Sequence, residues 1–540
     1  MERRSKIRIE GSTTLTVSWS VLCLFLLFTI IFPLVFILIT PKASDFRQVL
    51  SSSIWKQAAL NTLLECICST TASVLIGFLY AYCVVKGALP FRKFFAFIPL
   101  LHLVTPPFVG GLSFILLLGR QGFITHTLLG LDISLYGFWG LLIAQTLCFF
   151  PMAYMICIQT LQGINPSLEQ AARSFGSSRF QIFRKITLPL ALSGIVSAFL
   201  FIAVSVMSDF GNPMIVAGRY KVLAVEIYTQ LTGWVNAGTS AILGIILVIP
   251  SLILFYLQNR MTRKNMVKTA TIGSKGAVLS DDDRSTPLPL RIFSTLFCSF
   301  IALCVLAQFA AIIAGSFQKL WGINTSFTWA HIKNLGRCKV ELTNSIRFAL
   351  EAAALSTIIA CIASYIVYRT KSPFKRSIDT VIQLPAAIPG SLFGLALSLA
   401  AARLNFHNSP VLIVMAITVG FLPFSYRIMS AAFSQIKTTL DDGARSIGAS
   451  KIRVLLTILV PVAKGGLFNS FIYDFVRGVG TMSAVIFLIS FKTPLASIKI
   501  LNLAEQGFWG DAAALSLLLT IITFVVIGIG NLIIKLWSRK

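Results

Sequence analysis

The sequence predicts an all-α membrane protein of about twelve transmembrane helices, arranged as two parallel six-helix halves related by a pseudo-two-fold axis. Three observations carry this: the composition, the recurrence of long apolar stretches, and a match of the chain to itself. Of the 540 residues 56% are hydrophobic and 12% charged, where soluble domains average about 25% charged. The mean hydropathy is +0.83, which places the chain in a bilayer.

Apolar stretches long enough to cross about 30 Å of hydrocarbon begin with residues 17–40, 57–85, 94–118, 135–160, 187–208 and 237–257. Six more follow at 290–316, 341–368, 378–402, 410–432, 461–490 and 511–536. Each is expected to be helical, because backbone polar groups do not stay unpaired in lipid. The first stretch follows Arg3, Arg4, Lys6 and Arg8 but is longer than the apolar core of a signal peptide, and no small-x-small cleavage site follows it. It reads as an uncleaved helix with its N-terminus in the cytoplasm. Twelve crossings return the C-terminus to the same side, beside Lys535, Arg539 and Lys540.

On that topology the cytoplasmic segments hold roughly 30 Lys and Arg residues and the opposite loops roughly 13, the bias expected of the positive-inside rule. The formal charge of +27 is thereby assigned to the membrane surface, and no nucleic-acid partner is expected. Arg260 to Arg291 is the most basic segment. With its Asp281-Asp282-Asp283 run and Ser285-Thr286-Pro287, it reads as a solvated tether. The domain reading is therefore 1–258 for the first half, 259–289 for a cytoplasmic linker and 290–540 for the second half.

The two halves match as copies. At an offset of 283, Asn61 meets Asn344, Ser73 meets Ser356, Tyr82 meets Tyr365, Pro90-Phe91 meets Pro373-Phe374, and Pro106 meets Pro389. From Phe149 onward the offset is 272: Phe149 meets Phe421, Pro151 meets Pro423, Tyr154 meets Tyr426, and Pro189 meets Pro461. Over residues 149–189 this gives roughly 13 identities where chance gives roughly 3, the signature of an internal repeat. An even number of spans per half makes the copies parallel, with the substrate path expected at their interface.

The strongest local signal lies between the fourth and fifth spans of each half. The first copy reads Ser167-Leu-Glu-Gln-Ala-Ala-Arg-Ser-Phe-Gly176 and leads to Leu188-Pro189; the second reads Thr439-Leu-Asp-Asp-Gly-Ala-Arg-Ser-Ile-Gly448 and leads to Val460-Pro461. Each predicts a short helix. Ser167 and Thr439 are N-cap types answered by Gln170 and Asp442 as in a capping box, and Glu169 and Asp441 suit the positive helix end. Gly176 and Gly448 can take positive φ and end the helix. An amphipathic stretch then runs to the proline, where the chain re-enters the membrane. Ala171, Ala172 and Ala444 are expected to offer a small surface for close approach by another protein.

These residues resemble the EAA loop of ABC importer permeases, in which acidic-x-Ala-Ala, a Gly seven residues after the acid and a later Leu-Pro form a coupling helix that docks on the ATPase subunit. The resemblance covers both halves. It assigns ATPase coupling to Glu169, Ala171, Ala172, Gly176 and Pro189, and to Asp441, Ala444, Gly448 and Pro461. The second copy departs from the pattern at Asp441 and Gly443, which predicts a weaker grip. The partners it implies are two ABC ATPase subunits, an extracytoplasmic solute-binding protein and the lipid of a bacterial inner membrane.

Ser208-Asp209-Phe210-Gly211 after the fifth span and Ser483-Ala-Val-Ile-Phe-Leu488, placed in the eleventh, resemble the ferric-iron type of permease; sugar phosphate, phosphonate and polyamine importers are the alternatives. No GxxxxGK[ST] occurs, so ATP is expected to be hydrolysed by the partner subunits. Neither an enzyme activity nor a cofactor is expected in this chain. Nine of the ten cysteines sit in apolar runs, and the four histidines lack an i, i+4 pair, so no metal centre is expected.

Ionisable residues inside spans are functional candidates by default. Glu65, Glu351, Asp474 and Arg477 are of this kind, and a carrier driven by an ion gradient, with Glu65, Glu351 or Asp474 moving protons, is the competing class. Intrahelical pairs, Asp474 with Arg477 and Arg347 with Glu351, are the plainer reading. Asp209, Tyr82, Tyr365, Pro106-Pro107 and Pro385 to Pro389 are candidates for lining the pathway.

Overall fold

Apolar runs interrupted by paired prolines fold here into long helices separated by deliberate breaks. The computed structural model describes residues 13–106, 108–131, 135–271, 287–370 and 375–538. The basic residues before 13, the acidic run at 281–283, Pro107, Pro373-Phe374 and the last two residues lie outside this set. The described residues are mostly helical and include one two-stranded antiparallel hairpin, β1 (Gln318–Leu320) and β2 (Asn324–Phe327).

The first half contains α1 (Val17–Ile39), α2 (Ser53–Lys86), α3 (Arg92–Val104), α4 (Phe108–Leu118), α5 (Phe138–Gln162), the motif helix α6 (Pro166–Ser174), α7 (Arg179–Met207), α8 (Gly211–Val216) and α9 (Ala237–Thr271). The second contains α10 (Leu288–Phe317), α11 (Lys339–Arg369), α12 (Lys375–Gln383), α13 (Gly390–Arg403), α14 (Ser409–Gln435), the motif helix α15 (Thr439–Ser446), α16 (Lys451–Val462), α17 (Lys464–Val479), α18 (Ala496–Glu505) and α19 (Trp509–Ser538).

Among the described residues nine helices are long and apolar enough to cross a membrane, or eleven if each of two bent pairs counts as one span. Three of the expected stretches are broken or end elsewhere than the sequence suggested, each with a physical cause. The stretch 94–118 is two short helices parted at Thr105-Pro106, because proline lacks an N–H and excludes the helical conformation before it. At the repeat-equivalent position, Pro385 lies within a 3₁₀ turn, Leu384–Ala387, and Pro389 precedes the next helix, and the axis turns by 109°. The eleventh stretch ends at Val479 rather than 490, so Ser483 to Leu488 lies in buried turns and not in a helix.

The fifth span of each half enters through a π-helical turn, Phe183–Thr187 and Leu455–Leu459. In the first half the helix continues unbroken to Met207, whereas in the second it bends by 75° after Val462. Both copies carry the proline, so Pro461 alone does not decide this. Gly465-Gly466 follows it only in the second copy, and adjacent weak helix formers after a π-turn are a recognised cause of kinks. At the far end of the first half, α9 runs on to Thr271, so the segment read as the start of the linker is helical.

Packing follows the repeat. In the first half α2 lies along α5 and both contact α7; in the second α11 lies along α14 and both contact α17. The first helix of each half reaches across to the other bundle, α10 while also staying packed on α19 of its own half. The Phe32–Ile39 part of α1 packs on α13, and α10 packs on α2, α3 and α4. The Tyr80 and Phe297 ring centroids lie 6.5 Å apart at the second of these contacts. The hairpin after α10 reaches the same way, with Trp321 Nε1 donating to Leu116 O at 3.0 Å.

Candidate functional site

The two motif helices form from the expected residues but are capped differently from the expectation. In α6 the cap is Asn165, whose side chain accepts from the Ser167 N–H, with Pro166 opening the helix. Proline suits that position because its missing N–H would have been an orphan there. Thr438 precedes α15 with no side-chain cap bond. The reciprocal capping box occurs one helix later, where Ser178 Oγ accepts from Gln181 N and Gln181 Oε1 accepts from Ser178 N. Ser450 caps the Arg453 N–H at the equivalent place.

Both helices end as predicted. Gly176 has φ +79° and Gly448 φ +90°. Ser177 N donates to Ala172 O and Ala449 N to Ala444 O, each at 3.0 Å, the bond that closes a left-handed C-terminal turn. Neither glycine has any heavy atom within 4 Å of where a Cβ would stand, so backbone conformation rather than crowding sets the demand there.

The acids point inward. Glu169 is buried and accepts from Lys86 Nζ at 2.8 Å and from Thr187 Oγ1 at 3.0 Å. Asp441 receives Arg369 Nη1 at 3.2 Å, and Arg369 Nη2 donates to the Phe433 and Ile436 carbonyls. Lys86 ends α2 and Arg369 ends α11. They are the same position in the repeat, 283 residues apart, as Glu169 and Asp441 are at 272. Each motif helix is thus pinned by an ion pair to the second helix of its own half. Neither basic residue was singled out by the sequence reading, although the two offsets contain the signal.

Facing outward from the motif helices are Phe175, 90% exposed, and Ile447, 86% exposed, again one repeat position. Leu168 and Leu440 are exposed beside them. These large apolar side chains stand open at matched places in two otherwise polar loops. Ala171 is exposed, Ala172 and Ala444 are half-buried, and Pro189 and Pro461 are exposed in the helices that follow. Gly443 is exposed with open space around it. Tyr82 and Tyr365 stand at the base of these loops rather than on the pathway: the Tyr82 ring meets Phe183 at 5.2 Å, and Tyr365 Oη donates to Lys451 O.

Between the halves lies a cavity of about 230 Å³. Its walls include His102, Thr105 and Pro106 from the break after α3, Phe201, Ser205 and Asp209 around the end of α7, Phe421 and Phe424 from α14, and Tyr473 and Arg477 from α17. An adjoining cavity of about 190 Å³ shares Phe201, Ser205, Phe421 and Phe424 with it and adds Pro385 and Arg427. Gly480 closes the first against Pro106, where a Cβ would come within 2.7 Å of the proline ring.

Asp209 lines this space, as expected, and accepts from Gln145 Nε2 at 3.1 Å and Asn212 Nδ2 at 2.9 Å. The expected Asp474 to Arg477 pair does not form. Asp474 is buried and accepts from Ser425 Oγ at 2.6 Å, while the Arg477 guanidinium lies 5.9 Å from the Tyr473 ring centroid. Arg347 and Glu351 do pair, at 2.7 Å on an exposed face. Glu65 is buried and accepts from Ser69 Oγ. Among the described residues no group of three His, Cys, Asp or Glu side chains could hold a metal ion.

Two repeated bundles, a matched pair of motif loops and a cavity lined by residues of both halves have the architecture of a membrane permease. Residues 73–267 and 352–540 match the family described as binding-protein-dependent transport system inner membrane component, and the chain belongs to that family. The gradient-driven alternative falls with that membership. The chain is 30% identical over 449 residues to the ferric transport system permease protein FbpB of Actinobacillus pleuropneumoniae, covering 81% of this chain and 64% of that relative's length. A second relative, the putative ferric transport system permease protein FbpB 1 of Haemophilus influenzae, is 28% identical over 88% of this chain and 78% of its own. The molybdenum transport system permease protein ModB of Escherichia coli is 27% identical over 40% of this chain but 98% of its own length, so a whole permease of that kind corresponds to less than half of this one.

Proposed function

We propose that this chain is the complete translocation pathway of an inner-membrane ABC importer for ferric iron, with α6 and α15 docking on two separate ATPase subunits. The carrying observation is the repeated pairing of an outward apolar tip, Phe175 or Ile447, with an inward ion pair, Lys86 to Glu169 or Arg369 to Asp441. The likeness to two relatives named for ferric transport supports the cargo. Sugar phosphates, phosphonates and polyamines were the alternatives, and no relative described above is named for them.

The termini and motif loops face the cytoplasm on this reading, and a solute-binding protein delivers iron to the opposite face. ATP-driven closure of the ATPase pair draws α6 and α15 together. Because each is bonded to the end of α2 or α11, the displacement passes to the helix bundles that wall the cavity rather than being absorbed in a loose loop. Two discrete packings then expose the cavity to either side in turn.

The test is uptake of radiolabelled ferric iron by cells carrying Gly176→Val with Gly448→Val. β-branched residues resist positive φ, so the loops should misform, with iron uptake and ATPase co-purification lost while the chain remains in the membrane. Normal uptake in the double variant would sink the assignment.

A further inference from the structure

Resting on the iron-permease reading, we propose that the cargo crosses the middle of the membrane as an anion or anionic chelate, received in the central cavity by the Arg477 guanidinium.

The repeat shows where the halves have diverged. At the 272 offset, Arg477 corresponds to Ser205 and Tyr473 to Phe201, and all four line the same cavity. At these two positions one wall has a hydroxyl and a phenyl ring, with Asp209 beyond them, and the facing wall has become a guanidinium and a phenol. An arginine within a membrane span is costly and is retained where it meets a partner or a ligand. Arg477 rests on the Tyr473 ring, and no ion pair joins it to a carboxylate among the described residues. The neighbouring acids are engaged elsewhere: Asp474 is held by Ser425, and Asp209 by Gln145 and Asn212.

The adjoining cavity holds a second guanidinium, Arg427, bonded to Asn259 and Gln383 at 3.2 and 3.3 Å. A bare trivalent cation would meet two guanidiniums along this route against the single carboxylate of Asp209, itself already held by two amide donors, in surroundings where screening is weak. A carboxylate or oxyanion, alone or wrapped around the metal, meets a planar fork of donors suited to its geometry. The Thr481 and Ser483 hydroxyls around the same space can donate to its remaining oxygens.

The test uses the assembled transporter, this chain with its ATPase pair, in nanodiscs of zwitterionic lipid, with citrate and inorganic phosphate as probes. The wild type should bind at least one of them. Arg477→Gln should weaken that binding about 10- to 100-fold, the loss expected for a charge-assisted contact in a dry site, and Arg477→Lys, which keeps the charge but not the fork, should fall between the two. Arg477→Ser combined with Ser205→Arg moves the guanidinium to the other wall and should restore binding, which a merely misfolded variant would not do. No binding by the wild type, or equal binding by Arg477→Gln, overturns the proposal.

Uptake of radiolabelled iron into proteoliposomes supplied with the delivery protein separates this proposal from the reading beneath it. Unchanged iron uptake in Arg477→Gln overturns the anionic cargo and leaves the iron permease standing. Arg477-dependent anion binding in a transporter that moves no iron removes the iron reading and keeps the anion site.

Discussion

At the scale of single residues, the inward ion pairs change what the acidic position of the motif is for. Glu169 and Lys86 are mostly buried, so removing one strands the other, a loss of about 3 kcal/mol. Glu169→Ala and Lys86→Met should each lower the melting temperature of the purified protein, and the double variant should recover much of the loss; strictly additive losses would refute the pairing. Arg369 does more than Lys86, since its fork also closes the carbonyl end of α14. Arg369→Lys should therefore cost more uptake than Lys86→Arg, a comparison readable in one transport assay. The acids were visible in the sequence as motif members, but their direction was not. A short polar helix gives no hint of which side faces its own protein until the partner, 83 residues away in the first half, is known.

At the scale of elements, the motif helices were legible because spacing survives divergence: acid, glycine and proline keep their distances in both copies. What spacing could not convey was the apolar tip. Phe175 and Ile447 precede the helix-ending glycine and look like ordinary loop residues until their exposure is seen. Phe175→Ser and Ile447→Ser should leave stability within about 0.5 kcal/mol, as exposed sites do, yet reduce ATPase co-purification. Full retention in the double variant would place the docking contact elsewhere. Gly443 offers the opposite test. It is exposed, with space for a Cβ, and glycine within a helix costs about 1 kcal/mol relative to alanine. Gly443→Ala should stiffen α15 and raise ATPase-coupled uptake if the second loop is the weaker one, measured against the wild type at equal expression. The broken spans belong to this scale too. Their prolines are plain in the sequence, but hydropathy averages across them, so a re-entrant bend and a straight crossing give the same profile.

For the whole molecule, the two-fold repeat was readable and the exchange of first helices was not, because hydropathy and self-similarity say nothing about which bundle a helix joins. α1 packs on α13 of the second half and α10 on α2, α3 and α4 of the first. A protease site placed within 272–286 should therefore yield two fragments that stay together in mild detergent; separation on size exclusion would contradict the exchange. It also fixes an order of manufacture. The first helix leaves the ribosome hundreds of residues before its packing partner exists, on the order of tens of seconds at ordinary synthesis rates. Through that interval it must wait in lipid with one flank unclaimed, and the newborn first bundle stands open where α10 will later lie. The half-made chain is thus the form most exposed to membrane proteases and to wrong partners, and its survival depends on the second bundle arriving in time.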